Sequence, residues 1–338
     1  MIAAVRIFAI GLGLLVVASP AAAQWTRVLE VPASQMFSVW ANGDTIVAGT
    51  DSTVHLSTDA GVTWKPSAKV ASGVTSVQAV WVRNGLLYAG TFGKGVFVSD
   101  DQGDTWLAFN QGLVGGLFNS QLSIVDLLVR GDSMYVATSG AGAYVRNLTA
   151  GTWSHFGEQF EPNQASNMNA IAAGGSRLFA CAGFNGTVFF RDPEDSDWTL
   201  SWLDNVGIAP GLAALTAVWT GVGWVVGANT GVFRSALGQE PWTFVDVGFG
   251  TLLAVSFATR GPEIFAAFGT GALTFIQHSI DGGATWQPLD TLSAVFVHEL
   301  ASSGDILYAA RLDGLWRRSV VSAVQPSSWS SLKSRFRR

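Results

Sequence analysis

Five carboxylates stand where loops would carry them clear of the strands: Asp51, Glu158, Glu161, Asp204 and Asp313. Two carboxyl groups on the order of 5–10 Å apart can share acid and base work in glycosidic-bond cleavage. Glu158 and Glu161 share one long loop, Ser154-His155-Phe156-Gly157-Glu158-Gln159-Phe160-Glu161-Pro162. Nothing in the spacing aligns any two of the five across a cleft, and solvated surface charge accounts for them more simply. A pair facing each other across a channel mouth would point to an enzyme. A second acidic group, Asp100, Asp101 and Asp104, has the density of a calcium loop but lacks its ligand series. The four histidines, His55, His155, His278 and His298, show no paired metal-ligand spacing. Cys181 is the only cysteine. It lies in an apolar run, Leu178 to Ala182, which predicts a small buried hydrophobe rather than a nucleophile. No nucleophile elbow, phosphate loop or dinucleotide fingerprint occurs in a strand–turn–helix context. The expectation is no metal and no cofactor.

A binding surface is easier to read. Phe92, Phe184 and Phe268 recur at short, nearly neutral turns, and Lys94 projects from one of them as a solvated charge. Leu113, Leu117 and Phe118 add apolar residues from a neighbouring loop. Together these predict a contact patch for a protein or glycan, with the alternative that each Phe caps its own sheet.

The elements that position these residues are repeats. Trp25, Trp64, Trp106, Trp153, Trp198, Trp242 and Trp286 are spaced 39 to 47 residues apart. That period suits four short strands and their turns, the size of a propeller blade. Ahead of each Trp after the first lies a Gly-led strand, as in Gly43-Asp44-Thr45-Ile46-Val47-Ala48-Gly49-Thr50 and Gly85-Leu86-Leu87-Tyr88-Ala89-Gly90-Thr91. The seventh such strand, Ile306 to Ala310, has no Trp strand after it, whereas Trp25 precedes the first. Residues 24–31 are therefore expected to complete the last blade with residues from about 295 to 320, closing a seven-bladed, all-β propeller over 24–322. Tyr88, Tyr135 and Tyr308 share one repeat position, which predicts packing. The uncharged run through Leu212 to Val226 is interrupted by Gly221 and Gly223 and falls in repeat register, so it reads as two strands rather than a membrane span.

Three turns carry the pattern S-x-D-x-G-x-T-W. They are Ser57, Asp59, Gly61 and Trp64; Ser99, Asp101, Gly103 and Trp106; and Ser279, Asp281, Gly283 and Trp286. An Asp can accept backbone N–H groups inside such a turn, and a Gly supplies its positive φ. These turns resemble the Asp-boxes, or BNR repeats, of sialidases and related propellers, a resemblance covering residues 24 to about 322. It implies that the boxes lie between third and fourth strands, on the rim opposite the usual ligand face, and serve folding. The turns of blades three, four, five and seven lose the Asp-Gly pairing and are expected to be differently shaped. The sialidase family's arginine-bearing early motif is missing from Met36-Phe37-Ser38-Val39-Trp40, so sialidase activity is not expected. The repeats also resemble photosystem II assembly-factor propellers, a reading that requires a photosynthetic source.

Composition agrees with an all-β chain: 49% of residues are hydrophobic, only 13% are charged, and there are 39 Gly. Residues 1–23 read as a signal peptide, with Arg6, an apolar stretch from Ile7 to Val17 and cleavage after Ala23, so the mature protein is expected outside the cytoplasm, secreted or periplasmic. The net charge of −5 is more negative in the body, because Lys333, Arg335, Arg337 and Arg338 sit in a basic tail (323–338) expected to lack order. An acidic body argues against nucleic acid as a partner. The expected function is a monomeric, non-catalytic binding or scaffold propeller, with a glycoside hydrolase as the alternative.

Overall fold

The computed structural model describes residues 24–31, 35–113, 117–149, 151–156, 167–183, 185–205, 211–247, 253–270, 273–293 and 296–320. Glu158, Glu161, Phe184, the expected signal peptide (1–23) and the basic tail lie outside them. Seven four-stranded antiparallel sheets follow one another around a ring. Their inner strands are Met36–Asn42, Val77–Arg83, Ile124–Arg130, Met168–Gly174, Ala214–Trp219, Leu253–Arg260 and Val297–Ser303. Each touches the next, and the last touches the first. The seventh blade takes its outer strand from Thr26–Leu29, which pairs antiparallel with Gly314–Ser319 through Thr26 to Arg317, Arg27 to Trp316 and Leu29 to Leu315. Full closure leaves no blade without its fourth strand.

The core is distributed over seven seams rather than gathered at one centre. Each apolar cluster joins two neighbouring blades, from Val47 against Val80 between blades one and two to Leu315 against Met36 between seven and one. Alternate residues of a strand point to opposite faces, so each sheet feeds two seams. The run around Leu212 forms the strands Ala214–Trp219 and Trp224–Ala228 of blade five. Among the described residues no helix is long and apolar enough to cross a membrane.

The three S-x-D-x-G-x-T-W turns fold alike. In blade two, Ser99 Oγ donates to Asp101 Oδ1 (2.8 Å) and accepts from Gly103 N (2.8 Å), while Thr105 donates its N–H and hydroxyl to the Asp101 carboxylate (2.9 and 2.6 Å). Blades one and six repeat this at Asp59 and Asp281. The bonds from Thr105 hold Asp101 down to about 2, and those from Thr63 hold Asp59 down likewise. Gly103, at φ +89, presses on the preceding blade, where a Cβ would come within 2.6 Å of Ser67 Cβ.

The position of the turn's Ser is Ser235 in blade five but arginine in blades three, four and seven, where Arg146, Arg191 and Arg318 face Met134, Leu178 and Leu307 across the sheet. Ser235 Oγ still gathers the N–H groups of Gly238 and Gln239. The arginines instead reach over the outer strand of the blade before them. Tyr88 and Tyr308 are buried in the seams, and Tyr135 packs on Phe156.

Candidate functional site at the channel mouth

Every inner strand carries one irregularity in its pairing, at the same repeat position, just after its first residue or, in blade six, just after its second. The unpaired residues are Phe37, Gln78, Val125, Asn169, Leu215, Val255 and His298. A bulge bends its strand and re-aims a side chain, and all seven line one cavity of about 140 Å³ around the axis. Inner strands begin on the face that also carries the turns from second to third strands. The channel mouth and the loops of Asp51, Phe92, Lys94, Asp204 and Asp313 therefore share a face, opposite the S-x-D-x-G-x-T-W turns.

The residue after each bulge points into the seam and meets a small partner across its own sheet: Ser38 with Gly49, Ala79 with Gly90, Asp126 with Ala137, Ala170 with Cys181, Thr216 with Gly227, Ser256 with Ala267 and Glu299 with Ala310. The need for small residues is steric, since a Cβ at Gly90 would lie 2.7 Å from Ile124 Cγ2. This explains Cys181, which is fully buried; burial raises its thiol far beyond the ordinary range, so it is no nucleophile at neutral pH.

Two post-bulge residues are acids, and neither was among the sequence candidates. Asp126 accepts from Leu127 N (2.7 Å) and, across the seam, from Ile171 N (2.8 Å). Glu299 accepts from Val39 N of the first blade at 2.7 Å. Ser256 Oγ accepts from Leu300 N at 3.0 Å, the same connection made by a hydroxyl. Burial pushes Asp126 up to about 6 and Glu299 up to about 8, the latter helped by the field of Asp126. Beside them, burial lowers His298, whose ring lies 5.1 Å from Phe37 and 4.8 Å from Phe296. At pH 7 the cavity wall thus carries a largely ionised Asp126 beside a neutral Glu299, a neutral imidazole and two amides, with no lysine or arginine.

The residues expected from sequence to form the site are dispersed. Phe92 is 46% exposed and Lys94 is exposed beside it. Phe268 is fully buried, edge-on to Trp286, and offers nothing to a partner. The second strand of blade six runs through Gly269, so Phe268 aligns with Thr91, one residue before Phe92. Asp313 is held by Arg311 and by the Trp316 indole. Asp51 accepts from Gln35 N at 3.3 Å, and Asp204 is half-buried near blade four's outer strand. Leu113 is buried. No group of three or more His, Cys, Asp or Glu residues that could hold a metal ion occurs among the described residues.

No family model matches the chain, and no curated protein sequence is similar to it. Solved structures are. A complex described as YCF48 bound to D1 peptide superposes over 90% of this chain and all of its own, with TM-score 0.69 and 16% identity. YCF48 from Cyanidioschyzon merolae covers 87% of this chain and 98% of its own, with TM-score 0.65 and 14% identity. The GH74 xyloglucanase from Xanthomonas campestris matches 90% of this chain with 55% of its own, at TM-score 0.64 and 14% identity. Identities this low carry architecture and nothing finer, and on that ground, together with its own seven sheets, the chain is a seven-bladed β-propeller.

Proposed function

We propose that this chain is an exported, non-catalytic propeller, built on Asp-box turns, that presents the face around its channel mouth to a protein or carbohydrate partner. One observation supports the reading: both acids at the mouth are acceptors for the next blade's backbone, which gives each a structural task in its seam. Around them stand exposed Phe92 and Lys94 on a rigid scaffold. The YCF48 structure holds a D1 peptide, which makes an extended peptide the first protein partner to try, as an assembly factor would need. The test is an array of glycans and peptides with the mature protein, repeated with Phe92→Ser and Lys94→Ser. Loss of the captured ligand in both variants is expected; undiminished capture would reject this face.

The hydrolase reading has one point in its favour, that Asp126 and Glu299 line the same cavity. Turnover of chromogenic glycosides that disappears in Asp126→Asn and Glu299→Gln would establish it. Equal rates, or none, would remove it.

A further inference from the structure

On the opposite face, between blades three and four, lies a cleft of about 450 Å³. It opens where blade four has lost the regular turn, and Arg191 stands in place of the turn's Ser. The three arginines at this repeat position form an internal comparison. Arg146 stacks 3.4 Å from the centre of the Phe109 ring and donates from Nη1 to Phe109 O at 3.2 Å. Arg318 donates from Nη1 to Leu289 O at 3.0 Å and pairs with Asp290 at 2.7 Å. Arg191 stacks 4.4 Å over the matching ring, Phe156, but only its Nε is used, on Asp195 O at 3.2 Å. Among the described residues its two terminal nitrogens have no acceptor. In this half-buried side chain those two nitrogens are left to solvent, open to an incoming acceptor.

The cleft supplies the surroundings for an acceptor. Phe156 and Tyr135, 5.3 Å apart, and Leu178 give apolar walls. Arg130 lines another wall, its guanidinium turned to the carbonyls of Ser176 and Gly175 at 2.6 Å. Asp192, the acid in the lining, is already bidentate with Arg177, at 2.9 and 2.5 Å, and so is not the missing partner. Glu194, Asp195 and Asp197 on the same turn offset the positive charge, which disfavours a multiply charged anion. A planar fork with both terminal nitrogens unspent matches a carboxylate in two parallel hydrogen bonds.

We infer that this cleft is a binding site for a singly charged carboxylate carried on an aromatic or apolar body, such as the C-terminal residue of a peptide, with Arg191 as its anchor. The carboxylate meets the Arg191 terminal nitrogens, and the body lies against Phe156, Tyr135 and Leu178. The site is separated from the channel mouth by the thickness of the ring, so it stands or falls apart from the function proposed above.

Titration calorimetry of the mature protein with N-acetyl-phenylalanine, its amide and inorganic phosphate tests the site. The acid is expected to bind at least tenfold more tightly than the amide and than phosphate, and Arg191→Gln to remove that preference. Arg318→Gln, at the same repeat position but already paired with Asp290, should retain it. A thermal melt of each variant confirms folding, and Arg191→Lys, which keeps charge without the fork, should bind at least fivefold less tightly. Equal binding of acid and amide, phosphate binding as tightly as the acid, unchanged binding in Arg191→Gln, or no heat at millimolar acid would each overturn the assignment.

Discussion

Replacing Glu299 with Gln should change how stability depends on pH rather than simply lower it. Glu299 closes the seam between the last and first blades by accepting from Val39 N. Its pKa rises from an ordinary 4.5 to about 8, chiefly through burial. Between those pH values the folded chain keeps a proton that the unfolded chain has released, so stability falls as pH rises through the interval. Each pH unit is worth about 1.4 kcal/mol, giving a ceiling of roughly 5 kcal/mol across the whole span. Water in the channel cavity screens part of that, and about 2–3 kcal/mol is the expected share. Gln keeps the carbonyl acceptor and an uncharged donor, so it copies the protonated acid without the titration. Chemical denaturation at pH 4.5, 6, 7 and 8.5 should show the two proteins equal at the acid end and the variant more stable at the alkaline end. A difference that stays constant with pH would show that Glu299 does not titrate in this interval, and the account of Glu299 as protonated at pH 7 would fail.

Other consequences follow from the same geometry. Gly103→Ala places a Cβ 2.6 Å from Ser67 at a positive φ and should cost about 2–4 kcal/mol, whereas Gly43→Ala, at φ +58 with nothing within 4 Å, should cost only about 1 kcal/mol in the same denaturation assay. The Cys181 thiol should resist a thiol reagent at pH 8 in the native protein and react fully in denaturant; fast native labelling would contradict its burial. Asp126→Asn keeps a carbonyl acceptor for Ile171 N, while Asp126→Ala strands that N–H, so Ala should melt lower by an amount equivalent to about 1–3 kcal/mol.

The ring was legible because its signals repeat. Seven Trp positions and three matching turns cannot shift register independently, and the leftover strand at one end matched the missing strand at the other. The channel mouth was harder to read, because its residues are set by a bulge and not by a motif. Asp126 within Ile124-Val125-Asp126-Leu127-Leu128 is a lone carboxylate in an apolar strand, and Glu299 sits just ahead of Leu300 at the same repeat position. That anomaly was the available signal, outweighed by acids in loops that exposure alone explains. Phe268 was misplaced by one residue, since a strand running a step longer turns a rim side chain into a seam one. Arg191 could be seen as a departure from the turn pattern, but only its two counterparts, with their carbonyls in hand, show that its fork is unspent.

Six of the seven sheets come from continuous stretches of chain, whereas the seventh joins Thr26–Leu29 to Val297–Ser319. During synthesis the first six can form in turn as they emerge, but the wheel stays open until the last strand arrives. Until then Leu315's place against the first blade is vacant, and the Val39 N–H waits for Glu299. A message cut short before blade seven would therefore leave the flanks of blades one and six uncovered together. Such a chain would be marked as unfinished by its own exposed seams.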